Sequence, residues 1–289
     1  IGDRVKFFAL IFGVAFATLL MAQQSSFCIG LLSLSGNFVR DIREADLWVM
    51  REGTISVESA QPLPSTELFR VRGVAGVAWA MPLFKGSASV RVEGGGTKAV
   101  GVIGVDDATL LGAPQTVLQG RFEDLRQPDA IFVNRAAYTV LFPGQPETLG
   151  ATLELNDRRA VVTGIVDTSP GFATSNLVFT RYANAVRFVP SGRNTLSFML
   201  VKAGAGVSAA ELSQRITQAT GRKAVPRMAF VQEGIDDVID NSGIVPGTTL
   251  TVTDTFAATN YFNGIEFGLA GQRHTRWGDV DFWLKTALG

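Results

Sequence analysis

The longest run of apolar positions stands at the N-terminus. Residues 7–22 (FFALIFGVAFATLLMA) carry no charge, and after the polar step Gln23, Gln24, Ser25 and Ser26 a second apolar run extends from Phe27 to Leu34. Arg4 and Lys6 precede this stretch, and the next charge is Arg40. About 20 mostly apolar helical residues cross a bilayer's hydrocarbon core, so residues 1–26 are predicted to form a transmembrane helix. Its basic flank places the N-terminal end in the cytoplasm and everything after about residue 25 outside. A cleaved signal peptide and a buried soluble helix are the competing readings. Leu20-Met21-Ala22 fits a small-residue cleavage site poorly, and the apolar character resumes after it.

Beyond the anchor the pattern shortens. Ser33–Ile42 reads as helix, Ala45–Met50 as a strand, and Glu52-Gly53 as a turn. Ser65 is placed to cap a short helix over Thr66–Val71. Val77–Val92 ends in period-two alternation, and Lys98–Val105 returns as its partner over a Gly94-Gly95-Gly96 turn. Asp106–Pro114 reads as a helical turn, Ala130–Val133 as a strand and Arg135–Phe142 as a helix stopped by Pro143-Gly144. Residues 151–155 and 159–166 make a hairpin over Asn156-Asp157, a favoured turn pair. Asn176–Thr180 and Leu196–Val201 are strands. Ser208 and Glu211 form a capping-box pattern for a helix over Ala209–Thr220, which Gly221 ends. The expected fold is α+β: a transmembrane helix (1–26), then a split α+β module (27–97 and 191–247) around an inserted β-rich module (98–190), with an atypical polar tail at 248–289.

Composition narrows the chemistry. Twenty-six basic and 26 acidic side chains balance to zero net charge, which argues against a nucleic-acid partner, because phosphate binding needs a clustered basic excess. Cys28 is alone, so no internal disulfide forms, and Ser26-Phe27 before it lack the small residue of a lipoprotein site. His274 is the single histidine and cannot build a multi-His metal site. No phosphate-loop motif occurs, and Gly94–Gly96 with Gly101 and Gly104 do not precede a helix as a dinucleotide fingerprint does. Asp106-Asp107 and Asp236-Asp237 are carboxylate pairs, but adjacent side chains diverge, and helix-start or turn roles suit them better than acid–base work. Arg158-Arg159 reads as solvated. Trp277 and Trp283 mark either an interfacial helix or nothing beyond an exposed tail. Gln23, Gln24, Ser25 and Ser26 either line a path at the membrane surface or simply hydrate a helix end. No catalytic, cofactor-binding or metal-binding residue is assigned, and no cofactor is expected.

The run Asp3-Arg4-Val5-Lys6-Phe7-Phe8-Ala9-Leu10, with Gly13–Ala17 and Leu19–Gln24, resembles the first membrane helix of the FtsX-like, MacB-type ABC-transporter permeases, particularly their DevC-like branch. Ala45–Met50 is similar to the strand that follows it there, and Phe230–Ile235 through Asn241–Ile244 to the segment leading into that family's second membrane helix. The resemblance implies a permease subunit, homodimeric, in the bacterial inner membrane with its main domain periplasmic. It implies a separate ATP-binding ABC subunit and a periplasmic adaptor as partners, and no ATPase chemistry in this chain. The tail departs from the pattern: Glu266, Arg273, His274, Arg276, Asp279, Asp281 and Lys285 forbid a membrane helix there. The chain also begins with Ile, so it reads as a permease or a truncated copy of one. The alternative is a membrane-anchored extracytoplasmic binding module without transport activity.

Overall fold

The computed structural model describes residues 8, 11–20, 23, 34, 36–92, 96–169, 171, 175–241, 265–275 and 278–288, with side chains to residue 237. Helix α1 covers residues 11–20 and exposes Ile11, Phe12, Val14, Phe16, Leu19 and Leu20 to the surroundings. Such a continuous apolar surface is costly in water and suits lipid or a partner. Among the described residues no helix is long and apolar enough to cross a membrane. The rest of the predicted span, apart from Phe8 and Gln23, lies outside the described residues.

Four antiparallel strands build the first sheet, in the order β12 (Lys223–Pro226), β1 (Leu47–Met50), β11 (Phe198–Ala203) and β3 (Val77–Arg91). All four residues of β1 are buried, because both faces of this sheet are covered. Leu47 and Val49 pack with Leu68 and Val71 of α3 (Glu67–Arg72) and with Leu212 and Ile216 of α6 (Ala209–Thr220). Trp48 and Met50 enter a second cluster on the opposite face, shared with Phe230, Val231 and Ile235 of α7 (Arg227–Asn241). A strand sandwiched in this way needs a continuous apolar run, and Leu-Trp-Val-Met supplies it.

The remaining strands close on themselves. β3 leaves β11 after Leu83 and pairs from Phe84 onward with β4 (Thr97–Val105). β4 lies parallel to β9 (Leu177–Arg181), β9 antiparallel to β6 (Ala130–Asn134), and β6 parallel to β8 (Arg158–Val166). β8 pairs with β7 (Thr152–Leu155), and β7 returns to Val90 and Arg91 of β3. The result is a six-stranded barrel, which leaves no open edge within the ring. All six strands send side chains into one cluster, among them Val90, Val102, Val133, Leu155, Val162 and Val178. Residues from α4 (Arg135–Leu141) and α5 (Tyr182–Phe188) complete it. β3 is common to sheet and barrel, so a boundary at 97/98 falls after a strand that both use.

Local chemistry explains most elements. Asn156 and Asp157 adopt φ values of 46° and 61°, the paired left-handed conformation of a tight hairpin. Asn156 also accepts from the Ser89 amide at 2.9 Å and donates to the Phe188 carbonyl at 2.8 Å, tying the hairpin to β3 and α5. Ser208 Oγ accepts from the Glu211 amide at 3.2 Å, and Gly221 ends α6 at φ 67°. Glu211 turns to Arg215 instead of closing the capping box.

One expectation needs correction. Ser65 does not cap α3 with its side chain. The helix starts at Glu67 with Thr66 at the cap position, and the Ser65 amide is tied to the Asn194 carbonyl. The helical turn read at 106–114 is present as a single turn: the Leu110 amide donates to the Asp106 carbonyl at 3.0 Å, Asp106 Oδ2 accepts from the amides of Ala108 and Thr109, and Leu110 at φ 58° ends it. Trp283, open to two readings in the sequence, lies in a strand, and Trp277 lies outside the described residues. Residues 247–289 form a separate compact unit holding a hairpin of β13 (Ile265–Thr275) and β14 (Gly278–Leu288). Val280, Phe282 and Leu284 alternate with Asp279, Asp281 and Trp283, which is a strand period.

Glu67, nearly buried, clamps α3 to the segment after α6. Its carboxylate accepts from Arg70 Nη1 at 3.1 Å and from Arg222 Nη2 at 3.3 Å. The hydrogen bond from Arg222, aided by Arg70, outweighs burial and holds the Glu67 carboxyl below its ordinary value of 4.5. A depressed carboxylate stabilises the fold above its unfolded pKa and loses that contribution as pH falls through the folded value. Stability of the protein should therefore drop below about pH 4.5. Glu67→Gln should cost about 2 kcal/mol at pH 7 and flatten that part of the profile. Denaturant titrations of both proteins from pH 3 to 7 check this, and parallel profiles would refute it.

Candidate interhelical junction and groove

Two features concentrate the polar and aromatic chemistry of the main unit. The first is the junction of α2 (Asn37–Asp41) with α7. A Cβ built on Gly36 would lie 2.6 Å from Val231 Cγ1, and Arg227 Nη1 donates to the Arg40 carbonyl at 3.5 Å. Gly36 thus faces Val231 while Arg40 faces Arg227, so the two helices run antiparallel. The chain arriving at α2 and the chain leaving α7 meet at the same end of the unit. Arg227 also suits the negative C-terminal end of α2.

An aromatic cluster seats both helices on the first sheet. Trp48 of β1 lies 6.2 Å from Phe38 of α2, 5.6 Å from Phe230 of α7 and 5.2 Å from Phe198 of β11, centroid to centroid. These are edge-on and tilted pairings of the favourable kind. Trp48 is fully buried, and its indole N–H has no hydrogen-bond partner among the described residues. Its packing therefore outweighs an unmade hydrogen bond.

The second feature is a groove of about 550 Å³ between α2, the 57–58 loop, β3–β4 and the loops at 112–116 and 167–171. Phe38, Ile42, Val57, Ile103, Leu177 and Phe179 make its apolar wall. A neighbouring hollow of about 390 Å³ shares Val57, Glu58 and Lys85 with it. Lys85 is held by Glu58 and donates to the Val57 carbonyl at 3.2 Å, joining the loop to β3. Asp41 accepts from Ser169 N at 3.0 Å and Oγ at 2.8 Å, joining α2 to the 167–171 loop. Asn134 carries the far side of that loop, donating to Thr168 Oγ1 and the Ser175 carbonyl and accepting from the Leu177 amide. Asp41, Glu58 and Lys85 are engaged in holding the groove's walls, while Arg43 and Asp167 also line it beside its apolar surface.

The residues singled out in the sequence scatter. Asp106 is bound to its own turn, and Asp107 Oδ1 accepts from the Ala183 amide at the start of α5. Asp107 and, first, burial raise the neighbouring Tyr182 phenol above its ordinary range. Asp236 accepts from Gln232 one turn earlier in α7. Arg158 and Arg159 are exposed on β8, and His274 stands opposite Asp279 in the hairpin. Gln23 is exposed and helical, whereas Gln24, Ser25, Ser26 and Cys28 lie outside the described residues. Among the described residues no group of three or more His, Cys, Asp or Glu is placed to hold a metal ion. The junction pair Gly36–Val231 and the groove residues were not legible beforehand, because no local pattern links positions so far apart in the chain.

Comparison with known proteins gives one fold and one family. Among solved structures, the periplasmic region of MacB from Actinobacillus actinomycetemcomitans superposes with a TM-score of 0.50 at 16% identity, covering 71% of this chain and 98% of that one. The extracellular domain of the noncanonic ABC-type transporter YknZ from Gram-positive bacteria matches with a TM-score of 0.45 at 14% identity, over 63% of this chain and 98% of that one. No curated protein matches the chain. The family model for the MacB-like periplasmic core domain matches residues 7–219, well over half of the sequence. The protein belongs to the family of MacB-like periplasmic core domains, the periplasmic domains of MacB-like ABC-transporter permeases.

Proposed function

We propose that this chain is a permease subunit of an ABC-type export system, held in the bacterial inner membrane by residues 1–26 with its main domain in the periplasm. In this reading it works as a homodimer. A separate ATP-binding subunit drives movement of the domain, and a periplasmic adaptor protein receives it. Residues 27–97 with 191–247 form the module nearest the membrane, and 98–190 the inserted module, with β3 running through both.

The observation that supports this reading is the antiparallel α2–α7 pair. A domain whose incoming and outgoing helices lie side by side can be moved as one body by whatever moves those helices. The apolar surface of α1, just upstream of α2, supports the anchor. The groove favours a second reading, an anchored binding module that holds a ligand without transport.

An alkaline phosphatase fused after Gly221 should be active in intact cells only through export of the fusion. A cytoplasmic reporter active at that position would overturn the orientation. Affinity isolation of the full chain from membranes should then bring with it an ATP-hydrolysing subunit. Correct orientation without any associated ATPase would favour the binding module.

A further inference from the structure

The chain passes between the first sheet and the barrel twice. It leaves where β3 gives up β11 after Leu83, and it returns through residues 189–197 to begin β11 at Phe198. Backbone groups of alternate strand residues point to the same side. The Leu83 carbonyl accepts from the Ser197 amide at 3.0 Å, so Lys85, two residues on, faces the side that β11 has just vacated. There the Ser197 side chain stands in for a strand. Its hydroxyl accepts from the Lys85 amide at 2.8 Å and donates to the Lys85 carbonyl at 3.0 Å. The two crossings are thus stitched to each other by a buried serine at the point where the backbone ladder stops.

Further ties join the same two parts. The Tyr182 hydroxyl on α5 donates to the Thr195 carbonyl at 2.9 Å. Asp41 of α2 holds Ser169 of the barrel through both carboxylate oxygens, and Gln115 donates to Glu44 just after α2. An apolar cluster is also common to both, with Trp48 and Leu200 of the sheet meeting Ile103, Phe132 and Phe179 of the barrel. Apolar burial is non-directional, so it holds sheet and barrel together without fixing their angle. Hydrogen bonds weaken steeply when misaligned, and those across the junction do fix it.

We propose that Ser197 and Asp41 are positioning residues that set the angle of the barrel on the sheet, so that a displacement of α2 and α7 is delivered to the barrel and not lost at β3. The inference rests on the reading above, in which those helices are driven.

Distances between spin-label pairs, measured by double electron–electron resonance on the full chain in phosphatidylcholine–phosphatidylglycerol nanodiscs, test this. With Cys28→Ser as background, Gln218→Cys on α6 with Arg158→Cys on β8 reads sheet against barrel. Gln218→Cys with Glu52→Cys reads the sheet region alone. All three positions are exposed. Both pairs should give narrow distributions in the otherwise native chain. Combining Ser197→Ala with Asp41→Ala should shift or broaden the first distribution by several ångström and leave the second narrow. A first pair already broad before these substitutions, or unchanged after them, would overturn the proposal. Broadening of both pairs would overturn it too, because the two residues would then hold the sheet itself and not the angle. The reporter fused after Gly221 keeps the two readings apart. A barrel that swings freely on a correctly oriented chain sinks only this proposal, whereas a cytoplasmic reporter sinks the anchored reading whatever the angle does.

Discussion

Trp48→Ala is expected to leave the periplasmic domain largely unable to hold its native state at 37 °C. The ring is fully buried at the meeting point of β1, β11, α2 and α7. Truncating a buried Trp costs about 3–5 kcal/mol in lost transfer and cavity terms. A domain with roughly 5–15 kcal/mol of total stability gives up a large share of it. Trp48→Phe should behave differently. It keeps an aromatic wedge and removes an indole N–H that has no partner among the described residues. Leaving such a group buried costs about 1–3 kcal/mol, which offsets much of the smaller ring's lost packing. Urea denaturation of the wild type and both variants decides the matter. If Phe proves as damaging as Ala, the cost of the unpaired N–H has been misjudged. If Ala is mild, the cluster does not seat the helices.

A cysteine pair at Gly36→Cys and Val231→Cys, with Cys28→Ser to remove the native thiol, should cross-link in an oxidising compartment and strongly stabilise the protein. The Cβ built on Gly36 lies 3.5 Å from Val231 Cβ, within the range that disulfides adopt. The closed loop would contain nearly the whole domain, so the chain-entropy gain reaches about 5 kcal/mol before strain. For a domain of this size that corresponds to a rise in Tm of roughly 10 °C. Gel mobility without and with reductant, followed by thermal melts, reads both effects. Failure to cross-link would show that α2 and α7 do not lie together in the native protein, and the support for the proposed function would go with it. A cross-link that forms without raising Tm would keep the antiparallel pair and revise only the energetics.

Much of the fold was legible from short-range chemistry. Asn156-Asp157 announced its hairpin, because few residue pairs tolerate two successive positive φ values. Ser208 and Gly221 marked both ends of α6 through the hydrogen bonds that helix termini require. The apolar run 47–50 lies in a segment the sequence marked as a strand. The start of α3 was misjudged because the Ser65 amide is tied to Asn194, more than a hundred residues away. The period-two alternation of 278–288 is present in the sequence, with the charges at 279, 281 and 285 falling on alternate positions.

By itself the sequence determined the uncharged N-terminal stretch and the α+β pattern. These depend on composition, local hydrogen bonding and side-chain periodicity, all carried by neighbours in the chain. Tertiary structure alone decided that β3 serves both sheet and barrel, that β4 and β9 run parallel, and that Trp48 joins four elements. It also decided that Gly36 meets Val231 and that Asp41 and Lys85 hold the walls of a common groove. Those contacts join residues tens to nearly two hundred positions apart. No local period encodes them, because they arise only when each apolar face finds the one partner that excludes water from both.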